Sequence, residues 1–220
     1  MKTLKVEMIH DLVCSWCPIG YANVLAAARN LNITLDFHFL PYELNPNMEP
    51  EGEDINDYLK QRYGWSITKR QEYRQALLKV AEQADVCMDF SKRTRYFNSL
   101  QGHRLMHWCE GFGMQQAMND KLIDAYFKHG LDIGNTQVLV ELCRNLGLDT
   151  FQAQQALTSD EVDQAWQLKK RRVQQLNLPS VPAFIFNDHQ LVTGSNSVAY
   201  FEQLITDQIK QDNPNVHLAS

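Results

Sequence analysis

Cys14-Ser15-Trp16-Cys17 follows a short extended run and stands where the first helical pattern begins. Two cysteines three positions apart beside a helix start can exchange electrons as a dithiol and a disulfide. Unpaired backbone N–H groups and the macrodipole at a helix N-terminus stabilise a thiolate, lower its pKa and make it the attacking sulfur. That feature ties a redox centre to a strand-to-helix junction, with Cys14 nearest the helix terminus and Cys17 one turn inside. Far downstream, Val181-Pro182 starts another strand-like run.

The 220 residues, 44% of them hydrophobic, suffice for one large domain or a domain carrying an insertion. The net charge is −5 and the longest basic run is Lys169 to Arg172, so the footprint of a nucleic-acid binder is missing. That run reads as a solvated helix face. Lys5 and Glu7 interrupt any apolar leader, and no stretch approaches the roughly 18 apolar residues of a membrane span, so a cytoplasmic location is expected. The odd total of five cysteines supports that location, because secreted disulfide frameworks use even sets. Cys109 shares a helical stripe with Leu105, Trp108 and Phe112, and Cys143 shares one with Leu139, Leu142 and Leu146, which reads as burial for both. Cys87 continues the face of Val80 and Ala84; a core position is expected, with a redox or regulatory role as the alternative.

Leu4 to His10 alternates as a strand, Cys17 to about Asn30 has helical spacing, and Ile33 to Leu40 alternates again before Pro41. Two strands joined through such a helix form a right-handed parallel βαβ unit, with the cysteine pair at the carboxyl end of the first strand. A loop rich in Pro and Asn follows, and residues 55–176 read as helical almost throughout, with Asn135 and Asp149 as N-caps. Ala183 to Asn187 and Gln190 to Thr193 read as a hairpin, and Val198 to Ile209 as a last amphipathic helix. The expected fold is α/β, a thioredoxin fold (βαβ…ββα) interrupted by a large all-helical insertion. Residues 1–52 and 178–220 form the thioredoxin-like domain, and residues 53–177 the insertion.

Asp11 to Cys17 with Ile19-Gly20, Glu43-Leu44-Asn45-Pro46 with Glu51-Gly52, Asn98-Ser99 with His103-Arg104-Leu105, and Val181-Pro182 together carry a resemblance. Over nearly its whole length the chain resembles the DsbA family of thioredoxin-fold oxidoreductases, and within it the FrnE-like cytoplasmic branch. The resemblance implies Cys14 as nucleophile, Cys17 as resolving thiol, and a cis Pro182 that leaves the backbone of Val181 to pair with substrate. Trp16 joins Val181 and Pro182 in substrate binding, and Asn98 and His103 are the insertion's contribution to the active-site wall. The chain departs from the branch's Cys-Pro-Trp-Cys by Ser15 and by Pro18 after the second cysteine. With no histidine beside Cys14, a couple less oxidising than that of periplasmic relatives is expected.

Several residues admit two readings. In a helix starting at Ser15, Pro18 would remove a donor and crowd the carbonyl of Cys14; alternatively it falls harmlessly in the first turn. Asp11 could accept a proton during turnover or cap local backbone, and a lone His10 most often ends a strand with a satisfied hydrogen bond. His103 and His107 have the spacing of a metal pair, and with the two cysteines they would make four zinc ligands, but 85 residues separate the pairs and no metal is expected. Met106, Met114 and Met118 with Trp108 and Phe112 read as core rather than as a client groove.

The leading function is thiol-disulfide exchange with protein or small-molecule disulfides, with no cofactor beyond glutathione as a candidate co-substrate. One alternative is a glutathione-dependent isomerase or transferase of the hydroxychromene carboxylate isomerase or kappa-class type, whose members typically carry Ser at the position of Cys14. The other is a metal-binding or client-holding module. Neither nucleic acid nor membrane is an expected partner, and the oligomeric state is left open.

Overall fold

Strand β1 (Thr3–His10) runs through the middle of a four-stranded sheet because both of its faces are covered. Leu4, Val6 and Met8 point into the larger core, and Ile9 points into a second one on the opposite face. The computed structural model describes residues 3–212; residues 1–2 and 213–220, part of the expected thioredoxin-like domain, lie outside the described residues.

Helix α1 (Cys17–Asn30) crosses from β1 to β2 (Thr34–Pro41), which pairs with β1 in parallel, Val6 opposite Phe37 and Met8 opposite Phe39. On its other side β1 pairs antiparallel with β5 (Ala183–Phe186), and β5 with β6 (Gln190–Thr193), giving the order β2-β1-β5-β6. Asn187 and Asp188 carry φ values of 46° and 66° in the hairpin turn. Asn and Asp tolerate that left-handed region better than other non-glycine residues. Helix α9 (Val198–Asp212) packs beside α1, and its Phe201, Ile205 and Ile209 join the core of Leu4, Val6 and Met8.

Between β2 and β5 lie a two-stranded antiparallel pair, β3 (Glu53–Asp54) and β4 (Arg95–Tyr96), and seven α-helices. These are α2 (Ile55–Tyr63), α3 (Ile67–Gln83), α4 (Leu100–Glu110), α5 (Gln115–Ile123), α6 (Thr136–Asn145), α7 (Thr150–Ala156) and α8 (Asp160–Gln175). A π-helical turn, Asp124–Lys128, continues α5. Side-chain oxygens of Asp54, Ser66, Asn135, Asp149 and Ser159 accept from first-turn amides, so five of these helices start on capping residues.

The basic run of α8 is only in part a solvated face: Arg171 and Arg172 are exposed, but three of the four residues hold acidic partners. Lys169 pairs with Glu110 of α4, Lys170 with Glu43 after β2, and Arg172 grips both oxygens of Glu7 on β1. Val173, one residue on, packs with Ile9, Leu40, Ala183 and Ile185, so α8 covers the sheet face opposite α1 and α9. Spacing along α8 shows the charges but not the acidic partners on three other elements.

Cys87 is exposed rather than in the core. Helix α3 ends at Gln83, and Asp85 turns left-handed at φ 57°, which puts Cys87 out of phase with Val80 and Ala84. Cys109 and Cys143 are buried as expected, and their thiols also meet between α4 and α6, where hydrogen bonding to Cys143 and then burial push the Cys109 thiol up. Met106 and Met118 are core residues, while Phe112 is 48% exposed.

Candidate active site

Beyond β1 the chain turns sharply. The amide of Cys14 donates to the Asp11 carbonyl at 3.1 Å, and the amide of Cys17 donates to the Cys14 carbonyl at 3.2 Å. Regular helix begins only at Cys17, two residues later than a start at Ser15. The reason is Pro18, which has no N–H to bond the Cys14 carbonyl and whose ring would crowd it. A tight turn from Cys14 to Cys17 takes that carbonyl instead, and Pro18 falls harmlessly in the first turn of α1.

Cys14 is 6% exposed and Cys17 1%; neither is in a disulfide. Burial, then the hydrogen bond with Cys14, pushes the Cys17 thiol well above its ordinary range, so Cys17 holds its proton at neutral pH. The Cys14 thiol donates to the carbonyl oxygen of Val181 at 3.7 Å. The Val181–Pro182 peptide is cis, and the Pro182 carbonyl accepts from Gly194 at 2.7 Å. Trp16, partly exposed, donates its indole N–H to the Tyr73 hydroxyl at 3.0 Å, joining the turn to α3. Cys14, Cys17, Trp16, Val181 and Pro182 therefore meet where the turn before α1 faces the start of β5.

The carboxylate of Asp11 is buried beneath this turn and caps backbone. It accepts from the Leu44 amide at 2.6 Å and from the Val13 amide at 3.3 Å. His103 is 3% exposed, and its Nε2 lies 3.1 Å from the Tyr42 carbonyl and 3.5 Å from Asp11. Two acceptors face that nitrogen, so it carries the ring proton. His10 stands edge-on to His103, and its Nε2 has no partner among the described residues, unlike the satisfied strand-end histidine expected. Asn98 donates to the Met48 carbonyl at 2.9 Å and accepts from the Leu100 amide at 2.9 Å. Both Asn98 and His103 thus hold backbone of the loop after β2. Among the described residues no group of three or more His, Cys, Asp or Glu side chains is placed to hold a metal ion.

The model of the DSBA-like thioredoxin domain matches residues 5–206. The chain belongs to that family. It is 24% identical over 210 residues to the Bacillus subtilis (strain 168) protein YwbO, covering 95% of this chain and 99% of YwbO. Among solved structures, a probable DsbA oxidoreductase of Streptomyces coelicolor, SCO1869, superposes with a TM-score of 0.86 at 22% identity, covering 99% of this chain and 94% of that one. The cytosolic disulfide reductase DsbM of Pseudomonas aeruginosa, solved with GSH, superposes at 0.67 with 18% identity, covering 94% and 100%.

One residue at the site of this DsbA-family chain escapes sequence reasoning. Arg93, 2% exposed, reaches from the segment before β4 to donate to the Val13 carbonyl at 3.3 Å. Its only sequence signal is a position among other basic residues between two helices, which does not distinguish a buried arginine from a solvated one.

Proposed function

We propose that the protein is a thiol-disulfide oxidoreductase in which Cys14 attacks and Cys17 resolves. The observation that carries this reading is the stacking of the two sulfurs at one turn. Cys14 is the shallower and faces the Val181 carbonyl, while Cys17 lies deeper with its proton held by burial. The Cys14 thiolate attacks one sulfur of a substrate disulfide, forming a mixed disulfide and releasing the other substrate sulfur as thiolate, which takes up a proton. Cys17 then loses its proton, attacks the Cys14 sulfur and releases the second substrate thiolate. Two electrons pass from the dithiol to the substrate, and the protein is left with a Cys14–Cys17 disulfide. Run backwards, the same steps oxidise a substrate dithiol.

The substrate lies along Val181 and Pro182 with Trp16 beside it, and residues 53–177 frame the cleft from above. Asn98 and His103 act on this cleft through the loop backbone they hold. Glutathione is the small-molecule thiol that returns the disulfide to the dithiol; the DsbM structure with GSH supports it. A FrnE-like role in a reducing cytosol fits the Ser15-Trp16 pair, which supplies no histidine beside Cys14. Among the described residues no helix is long and apolar enough to cross a membrane. The intact cysteine pair favours exchange over the isomerase and transferase reading.

Insulin reduction decides the matter. Cys14→Ser is expected to abolish turnover, and Cys17→Ser to trap a mixed disulfide visible by mass spectrometry. Full activity in Cys14→Ser removes Cys14 from the mechanism.

A further inference from the structure

Arg93 is the only buried Lys or Arg among the described residues, and no carboxylate pairs with it there. Its guanidinium lies 4.7 Å from the ring centroids of Tyr126 and Phe127, 5.1 Å from that of Tyr96 and 5.3 Å from that of Phe90. Ring faces attract a cation but carry no net charge, so this cage holds the guanidinium without neutralising it. Its Nη2 bonds the carbonyl of the peptide that joins Val13 to Cys14, and its Nε has no partner. A buried, permanently charged group without an anion is costly to keep. The fold keeps this one against the peptide that leads into the residue that turns anionic in the proposed reaction.

We infer that Arg93 is the fixed counter-charge of the Cys14 thiolate, a positioning residue that sets the reactivity and redox poise of the pair without touching substrate. The inference rests on the nucleophilic role proposed for Cys14. The neighbouring elements contribute charged or titratable groups: Cys17 from α1, Asp11 from the turn after β1, Tyr73 and Arg74 from α3, Tyr96 from β4, His103 from α4 and Tyr126 from the π-helical turn. The Asp11 carboxylate lies beneath the same turn, where the amides of Leu44 and Val13 hold its two oxygens. Arg74 stacks on Phe90 from a partly exposed position, where water weakens its field. Arg93, shielded from water, is screened less. Within the site it replaces the cation that the residues between the cysteines do not supply.

The test is the pH profile of Cys14 alkylation, read peptide by peptide by mass spectrometry, together with equilibration against glutathione. Arg93→Gln keeps a planar donor for the Val13 carbonyl but removes the charge. It is expected to slow Cys14 alkylation at neutral pH by about tenfold and to move the whole profile to higher pH. The equilibrium should shift towards the Cys14–Cys17 disulfide by about tenfold, which is about 30 mV for a two-electron couple. Arg93→Lys keeps a cation at the site only while its buried ammonium stays protonated, so it should retain more of the native profile than Arg93→Gln on both readouts. A folded Arg93→Gln protein with the native profile and potential overturns the inference. Should Arg93→Gln not fold, Arg93→Lys decides: retention of the native profile supports the counter-charge, and a tenfold loss with the charge still present refutes it. Failure of the underlying reading looks different, because Cys14 of the native protein would then resist alkylation near neutrality.

Discussion

Gly20 of α1 and Pro182 ahead of β5 are in close contact: a Cβ on Gly20 would lie 3.0 Å from Pro182 Cγ, 3.2 Å from Phe184 Cζ and 3.2 Å from Ser195 Cα. Glycine is needed here for approach and not for conformation, since the residue sits inside a regular helix. The contact fixes the distance between the turn bearing Cys14 and the Val181 carbonyl. Gly20→Ala must push α1 off the loop by a few tenths of an ångström. Overpacking of about 1–3 kcal/mol outweighs the roughly 1 kcal/mol that alanine gains in helix propensity. The urea midpoint should fall and insulin reduction should slow together; a variant as stable and as fast as the native protein shows the contact to be slack.

His10 makes the fold sensitive to mild acid. Burial first, and the neighbouring His103 second, push its imidazole well below the ordinary value of 6.5. The unfolded chain takes up a proton at about pH 6.5 while the folded chain does not, so this contribution is present above that pH and is lost as pH falls. The slope approaches 1.4 kcal/mol per pH unit for one proton. His10→Phe, beside Phe39 at a ring distance of 5.0 Å, removes the titrating group and keeps the packing. Urea midpoints at a series of pH values below 6.5 should fall less steeply in the variant, and an unchanged slope would assign the acid sensitivity elsewhere.

The clamp between α8 and β1 is asymmetric, with the Glu7 side chain 7% exposed and that of Arg172 45% exposed. Removing the arginine strands a nearly buried carboxylate. Arg172→Ala should cost about 1–2 kcal/mol after allowing for the solvent that already screens the guanidinium. Replacing both residues with apolar ones of similar length should recover most of that loss. A double-mutant cycle on denaturation midpoints checks both expectations, and a coupling near zero would show α8 to be held by Val173 and its neighbours alone.

The sheet and the long helices are legible in sequence because alternation in β1 and β2 and helical spacing in α1 and α9 each report a local face. The placement of Cys14 and Cys17 at the start of α1 and of Val181-Pro182 ahead of β5 is legible for a similar reason: short motifs sit at element boundaries that the pattern already marks. Partners across the fold are not legible. Nothing near Lys169 announces Glu110, nothing near Arg93 announces the Val13 carbonyl, and Cys109 and Cys143 meet only because α4 packs on α6. The left-handed Asp85 that takes Cys87 out of the core is invisible for another reason, since Asp breaks a helix only where tertiary contacts let it. Pro18 shows the remaining limit: its incompatibility with a helix starting at Ser15 can be read from sequence, but which of the two gives way is settled by the turn that binds the Cys14 carbonyl.

Asp11 supports the Cys14–Cys17 turn from below, and two donors converge on its carboxylate, the amides of Val13 and Leu44, with His103 Nε2 3.5 Å away. Asp11→Asn would keep the shape but set an NH2 group against at least one of these donors. Each buried donor left unpaired costs about 1–3 kcal/mol, so the variant should lose about 2–4 kcal/mol, and Asp11→Ala at least as much. The functional loss should take a particular form. If Asp11 only caps backbone, alkylation of Cys14 should keep the shape of its pH dependence while the loop after β2 becomes protease-sensitive near Leu44. If Asp11 also receives the proton of Cys17 during resolution, the mixed disulfide should accumulate in Asp11→Asn under conditions where the fold is intact. Quenched-flow trapping of that intermediate, on protein verified as folded, separates the two. The amide bonds that occupy both carboxylate oxygens favour the capping role, and the expected outcome is no accumulation.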